Sequence, residues 1–260
     1  MGILNVTPDS FSDGGAFFDR NKAIERALDM ARDGADIIDI GGESTRPGAS
    51  SVSADEEMGR VIPIIEAIAK TASVPVSIDT RKSVVAEAAI KAGAKIVNDV
   101  SGLKHDPEMS SVVARNGAGL ILMHMRGSPS DMQTKTDYKD VVRDVISELR
   151  DSIEIAKRAG VDDLAIIVDP GIGFAKTAEQ SIEILARLDE LKVLQRPICI
   201  GTSRKSFLEK LTGVSCPGDR LAGTLATCVI AIMNGANILR VHDVSAAKAL
   251  AAVVDRIKKG

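Results

Sequence analysis

One signal recurs along this chain and admits few folds. An amphipathic helical stretch ends in Gly and a small residue, and a short apolar, β-branched run follows at once. It stands at Gly34-Ala35 before residues 36–40, at Gly93-Ala94 before 95–100 and at Gly117-Ala118 before 120–123. It returns at Gly160-Val161 before 164–168 and at Gly235-Ala236 before 238–241. Gly permits the left-handed conformation that ends a helix, and a continuous apolar run reads as a strand covered on both faces. Runs at 76–79 after Pro75 and at 198–200 after Pro197, with residues 2–6 at the start, complete a set of eight strands. A βα unit repeated every roughly 30 residues requires a parallel sheet. Eight such units in 260 residues predict closure into a single (β/α)8 TIM barrel, one domain over residues 1–260, rather than an open doubly wound sheet.

Composition narrows the function classes. The chain is 45% hydrophobic but has no Trp and one Tyr, so its core must be aliphatic. A net charge of −3 with both signs interspersed offers no basic footprint for nucleic acid. No run of about 18 apolar residues exists, which excludes a spanning helix. The start, Met1-Gly2-Ile3-Leu4-Asn5, lacks a basic segment followed by an apolar one, so a secretory signal is not expected. Cys199, Cys216 and Cys228 are odd in number and far apart, which suits reduced, apolar-packed thiols and a cytoplasmic protein. The stretch 220–234 is apolar almost all round, more than an outer barrel helix needs. Two covers suit its second face: a partner subunit, as in a homodimer, or neighbouring helices of the same chain.

The chemistry of a barrel sits at the C-terminal ends of its strands and in the loops after them. Those positions here are polar: Asn5, Asp39, Asp79, Asn98, His124, Asp169, Ser203 with Lys205, and Arg240 with His242. Helix caps and turn formers account for single residues of this kind, and Asp39, Ser83 and Ser245 are read that way. They do not account for Asp79, Asn98 and Asp169 together, each closing an apolar strand. Two carboxylates and a carboxamide at a barrel mouth suit a polar heterocycle, or a metal. Lys205, Arg240 and His242 lie after strands seven and eight, where barrels often hold phosphate. His105, His124 and His242 show no metal-ligand spacing, so a phosphorylated substrate with an amide-like ring fits better than a catalytic metal cage. The glycine- and serine-rich loops 7–18 and 41–52 are long enough to act as lids or binding loops, and Phe11 is unusual for a plain solvated turn.

Eight ordered motifs carry a resemblance over the whole chain. MGILNVTPDSFSDGG (1–15), DIGGESTRPGA (39–49), SIDTRK (77–82), NDVSG (98–102), LMHMRG (122–127), DPGIGF (169–174), GTSRKSF (201–207) and RVHD (240–243) resemble the signatures of the dihydropteroate synthases. That family condenses 6-hydroxymethyl-7,8-dihydropterin pyrophosphate with 4-aminobenzoate. The resemblance implies that Asp79, Asn98, Asp169 and Lys205 hold the pterin, with Val100, Met123 and Phe174 packed on it. It implies that Asn5, Arg240 and His242 bind pyrophosphate, with Mg2+ bridged by Asn5, and that Thr45 and Arg46 approach the same group. Phe11, Pro47 and Ser206 would shape the aminobenzoate pocket, while Lys205, Asp169 and Arg46 would be the catalytic groups. The implied course is SN1-like, with pyrophosphate leaving before the arylamine attacks, and sulfonamides would compete for the arylamine pocket. Family members usually carry a short segment before the first strand, and Met1 here coincides with a Met internal to the family pattern, which implies a chain that is trimmed, renumbered or open at the barrel floor. Two rival readings are a pterin-dependent methyltransferase and a non-catalytic pterin-binding paralogue. The two long early loops and GTSRKSF disfavour the first, and the intact Asn5, Arg46, Lys205, Arg240 and His242 disfavour the second.

Overall fold

Glycine ends the helices that the repeat marks, and a strand follows each within a few residues. The computed structural model describes residues 1–7, 16–45, 48–49 and 51–259. Among them are eight strands: β1 (Gly2–Asn5), β2 (Ile38–Gly41), β3 (Val76–Asp79), β4 (Ile96–Asp99), β5 (Gly119–Met123), β6 (Ile166–Asp169), β7 (Cys199–Ile200) and β8 (Ile238–Leu239). Nine α-helices alternate with them: α1 (Ala16–Arg32), α2 (Ala54–Thr71), α3 (Ser83–Ala92), α4 (Met109–Asn116), α5 (Val141–Arg158), α6 (Ala178–Ala186), α7 (Ser206–Thr212), α8 (Leu221–Met233) and α9 (Val244–Lys258).

Strands β1 to β6 pair in order and in parallel, and β7 pairs with β8. Parallel bridges between Val168 and Ile198 and between Gly2 and Val241 join these two sheets at both edges. The Ile3 N–H donates to the Val241 carbonyl at 2.9 Å and Val241 N–H to the Met1 carbonyl at 3.0 Å. The ring closes, as a TIM barrel requires.

Alternation along the strands then divides the core. Leu4, Ile38, Ile40, Ile78, Val97, Leu120, Leu122, Ile166 and Val168 face the helices in one large aliphatic core. Met1, Ile37, Ile96, Ile121, Ile167, Cys199 and Ile238 fill the barrel interior toward its floor. The same inward parity brings Asn5, Asp39, Asp79, Asn98, Asp169 and Arg240 to the interior at the mouth. An apolar floor and a polar mouth follow from one period-2 pattern. At the floor a cavity of about 410 Å³ opens between Met1, Ile37, Asn237, Leu239 and Lys248, far from the mouth.

Four expectations change. Cys216 is exposed rather than apolar-packed, while Cys199 and Cys228 are buried. Residues 164–165 lie in a 3-10 turn before β6, and Leu164 is 91% exposed rather than a strand residue. Ser83 and Ser245 sit inside the first turns of α3 and α9, whose capping positions are Lys82 and Asp243. On α8, Thr224, Cys228, Ala231 and Ile232 are buried, but Ile230 and Met233 remain 49% and 51% exposed. Among the described residues, helices of the same chain therefore leave that second face partly uncovered.

Two of the helix-ending glycines meet different surroundings. Gly117 adopts a left-handed conformation (φ 61°) with open space where a Cβ would project, whereas Gly93 (φ 122°) would place a Cβ 2.6 Å from that of Ala69 on α2. Gly117→Ala should cost about 1 kcal/mol of unfolding free energy, from backbone strain alone. Gly93→Ala adds a steric overlap and should cost about 3 kcal/mol or more. Urea titration of both variants checks the difference, and equal losses would contradict it.

Candidate active site

The mouth is organised around one guanidinium. Arg240, just past β8, donates through Nε to Asp39 Oδ2 at 2.6 Å and through a terminal nitrogen to Asp79 Oδ2 at 2.6 Å. Asn98 Nδ2 donates to the same Asp39 oxygen at 3.1 Å. Strand register explains this meeting, because Asn5 pairs with Gly41, Gly41 with Asp79, and Asp79 with Asn98. Gly41 leaves the row open: a Cβ there would lie 3.7 Å from Asp79 Oδ2 and 3.8 Å from Asn5 Oδ1. Burial, opposed by Arg240, pushes the Asp79 carboxyl up to about 7. Burial pulls the other way on Arg240, but its two carboxylates hold it above the ordinary guanidinium range.

A second cluster faces the first from β6 and β7. The Asp169 Oδ1 accepts the Gly171 N–H at 2.7 Å, which fixes the carboxylate's orientation. Lys205, ahead of α7, donates to the Ile172 carbonyl and lies 4.7 Å above the Phe174 ring. Burial lowers Lys205 to about 8 against the opposing pull of Asp169, and raises Asp169 against Lys205. Val100, Met123 and Phe174 meet here in one small apolar cluster with Met125, Met132 and Ala175. Carboxylates, a carboxamide and an ammonium thus surround a slot with one apolar wall. Such a slot suits a flat heterocycle with N–H donors on its edge.

A third group of side chains lies across Lys205. Ser203 Oγ is 2.9 Å from His242 Nδ1 and accepts the His242 N–H at 3.2 Å, so it orients the ring. Arg204 grips Asp243 through two nitrogens, at 3.1 and 2.6 Å. The second loop is closed at its stem by Glu43, which accepts from Val52 N–H at 3.1 Å and from Arg81 at 2.9 Å. Thr45 follows that stem, half-buried, and Ser206 is exposed on the first turn of α7. Phe11, Arg46 and Pro47 lie outside the described residues, as do residues 8–15 and 50 of the two early loops.

Known proteins share this frame. Residues 1–242 match the family described as pterin binding enzyme. A dihydropteroate synthase of Synechocystis sp. is 50% identical over 257 residues, 99% of this chain and 89% of that protein. The chain belongs to the dihydropteroate synthases. It is a transferase of the pterin-binding enzymes. A solved dihydropteroate synthase from Clostridium difficile, in the presence of pteroic acid, superposes with a TM-score of 0.95 at 49% identity. It covers 100% of this chain and 96% of that one. Another from Xanthomonas albilineans, with 4-aminobenzoic acid, gives 0.94 at 42% identity, covering 100% and 93%.

Within this family member, two residues sit elsewhere than the sequence reading puts them. Asp39 is no cap or turn former: it is wholly buried on β2 and paired with Arg240. Its inward parity with Gly41 was the available signal. His124 is not at the mouth. It points to the opposite side of β5 from Met123, is 2% exposed, and meets Lys176 and Glu148. Glu43, Arg81 and Lys176 matter to the site's framework without having stood out in the sequence.

Burial, with Lys176 beside it, pulls His124 down to about 3. The folded protein therefore leaves His124 neutral where the unfolded chain protonates it, below about 6.5. The resulting stability is fully present above that pH and is lost as the pH falls from 6.5 toward 3. Glu148, held below the usual carboxylate range, adds its own loss only at lower pH. Between pH 7 and 5, His124→Gln should flatten the decline in unfolding free energy by about 2 kcal/mol. Parallel urea titrations at both pH values check this, and identical slopes in the two proteins would refute it.

Proposed function

We propose that this chain condenses 6-hydroxymethyl-7,8-dihydropterin pyrophosphate with 4-aminobenzoate, releasing pyrophosphate and forming 7,8-dihydropteroate. The observation that carries the reading is the slot between Asp79–Asn98 and Asp169–Lys205, walled by Val100, Met123 and Phe174. Carboxylates accept from the pterin's amide-like N–H groups, and Asn98 and Lys205 supply donors for its acceptors. Arg240 and His242 lie at the adjacent edge to receive pyrophosphate, with Asn5, Thr45 and Arg46 nearby in the proposed arrangement.

Pyrophosphate departs first in this reading. Negative charge gathers on the leaving oxygens, where Arg240 and His242 stabilise it. Asp169 and Asp79 stabilise the positive charge left on the pterin methylene. The arylamine, held by Phe11, Pro47 and Ser206, then attacks that carbon and loses a proton. Sulfonamides, similar to 4-aminobenzoate in size and charge, are competitive in this scheme.

Mg2+ belongs to the proposal through Asn5. No cluster of three or more His, Cys, Asp or Glu is placed to cage a metal among the described residues. A single carboxamide oxygen beside the space left by Gly41 fits an ion that arrives on a pyrophosphate, because Mg2+ takes few protein oxygens and keeps substrate phosphates and water. When bound, it would neutralise charge on the leaving group.

The test is pyrophosphate release that depends on 4-aminobenzoate. A methyltransferase or a silent pterin binder gives none. Chelation should abolish release and Mg2+ restore it. His242→Ala should lower kcat/KM for the pyrophosphate substrate by about one to two orders of magnitude, one charge-assisted contact, and leave affinity for phosphate-free pterin nearly unchanged. Arg240→Ala should weaken both ligands, since it strips Asp79 of its partner. Full activity in both variants would remove this clamp.

We also propose a homodimer in the cytoplasm, built on α8 and α9. Ile230, Met233, Val253 and Ile257 are exposed apolar side chains on these two packed helices. No helix among the described residues is long and apolar enough to cross a membrane. Sedimentation should give a dimer for the parent and a monomer for the double variant Ile230→Glu, Met233→Glu. A parent that sediments as a monomer would remove the interface.

A further inference from the structure

Behind the pterin slot lie two buried polar side chains for which the proposed reaction has no use. Lys176 is 3% exposed and His124 2%. Lys176 Nζ donates to the Phe174 carbonyl at 2.9 Å, to His124 Nδ1 at 2.9 Å and to the His124 carbonyl at 3.5 Å. Three acceptors thus surround this nitrogen, while burial pulls the Lys176 amine well below the ordinary lysine range. His124 accepts at Nδ1, so its proton is on Nε2, 3.2 Å from Glu148 Oε2. Glu148 is held in turn by Arg126 Nε at 2.8 Å and Lys104 Nζ at 3.0 Å. A ladder of Lys176, His124 and Glu148 thus runs from the slot to the outer helix α5.

The inner rung ends on an unusual turn. Gly171, Gly173 and Ala175 all have positive φ, at 68°, 79° and 50°, and Ala175 has no glycine's freedom there. The turn sits flush on the end of β5: a Cβ on Gly171 would meet the His124 carbonyl at 2.0 Å. His124 N–H also donates to the Asp169 carbonyl at 2.8 Å. This one turn carries the Asp169 carboxylate at its start, the Ile172 carbonyl that holds Lys205, and the Phe174 ring. A buried methylene chain would fill the space under it equally well. A donor there also satisfies the Phe174 carbonyl, as Gln133 and Tyr138 do for the carbonyls of Gly173 and Ala175.

We propose that Lys176, braced by His124 and Glu148, is a positioning residue for the pterin half of the substrate. It clamps the 169–176 turn so that Asp169, Lys205 and Phe174 present their shared slot. This inference rests on the assignment of the pterin to that slot, and its test separates the two.

Steady-state kinetics of Lys176→Met, Lys176→Gln, Glu148→Gln and Asp169→Asn decide it. Lys176→Met should raise KM for the pterin pyrophosphate roughly tenfold, the cost of leaving the Phe174 carbonyl without its donor, with KM for 4-aminobenzoate within about twofold. Lys176→Gln keeps a donor near the Phe174 carbonyl and should recover part of the loss. Glu148→Gln, at the partly exposed outer end, should give a smaller rise in the same KM. An unchanged pterin KM in Lys176→Met overturns the proposal, as do equal losses for both substrates that follow the fall in melting temperature. If Lys176→Met does not fold, an unchanged pterin KM in Glu148→Gln overturns it. If Asp169→Asn also leaves that KM unchanged, the pterin assignment falls with it; if Asp169→Asn raises it, only the inference falls.

Discussion

Arg240 cannot be buried in a barrel mouth without partners, and the arrangement of the mouth follows from the two it has. A guanidinium cannot shed its proton, so burial has to be offset by opposite charge and satisfied hydrogen bonds. Asp39 from β2 and Asp79 from β3 supply both, and Asn98 from β4 satisfies Asp39 further. The C-terminal end of β8 is thereby tied to those of β2 and β3, across β1 in the ring. The tie also couples two jobs. In the proposed reading Asp79 answers to Arg240 on one side and to the pterin on the other, so the anion clamp and the ring acceptor would share one electrostatic unit.

This unit is possible only because the interior changes character along the strands. Toward the floor the inward positions are Ile37, Ile96, Ile121, Ile167, Cys199 and Ile238. They exclude water and give the mouth a low-dielectric base. Charges above such a base interact more strongly than they would at a surface. The raised Asp79 and lowered Lys205 proton affinities are two expressions of that base.

The strands and the barrel were legible because their signals are local. A glycine that must adopt positive φ ends the helix, and an apolar run begins the strand a few residues later, as at Gly93-Ala94 and Gly117-Ala118. Asp79, Asn98 and Asp169 were legible for the same reason, each being polar at the end of an apolar run. Asp39 was not, since an aspartate near a strand end resembles a cap and its partner lies 201 residues away. His124 was misplaced at the mouth by its position alone. Strand alternation, with Met123 facing inward, turns the next side chain outward. Lys176 carried no local signal: its place depends on a turn folding back against the end of β5, which only tertiary contact determines.

Charge balance explains how this mouth would serve the proposed reaction, which uses no protein nucleophile. Asp39, Asp79 and Asp169 oppose Arg240 and Lys205, while burial raises Asp79 and Asp169 and holds Lys176 well below the ordinary lysine range. The inventory is close to neutral, so neither a cationic ring nor an anionic leaving group is favoured by net charge. Separation is favoured by position instead. The carboxylates of Asp79 and Asp169 border the slot, while Arg240 and His242 border its anion-facing edge. In the proposed course the charges that form as the bond breaks then fall on opposite sides, each beside groups already oriented for it. Oriented dipoles and ions that need no rearrangement stabilise developing charge better than solvent does. The internal bonds are what keep them oriented: Gly171 on Asp169, Ser203 on His242, Asp39 on Arg240. In this chain the hydrogen bonds that fix the site's side chains are therefore as much a part of its chemistry as the side chains that would touch the substrate.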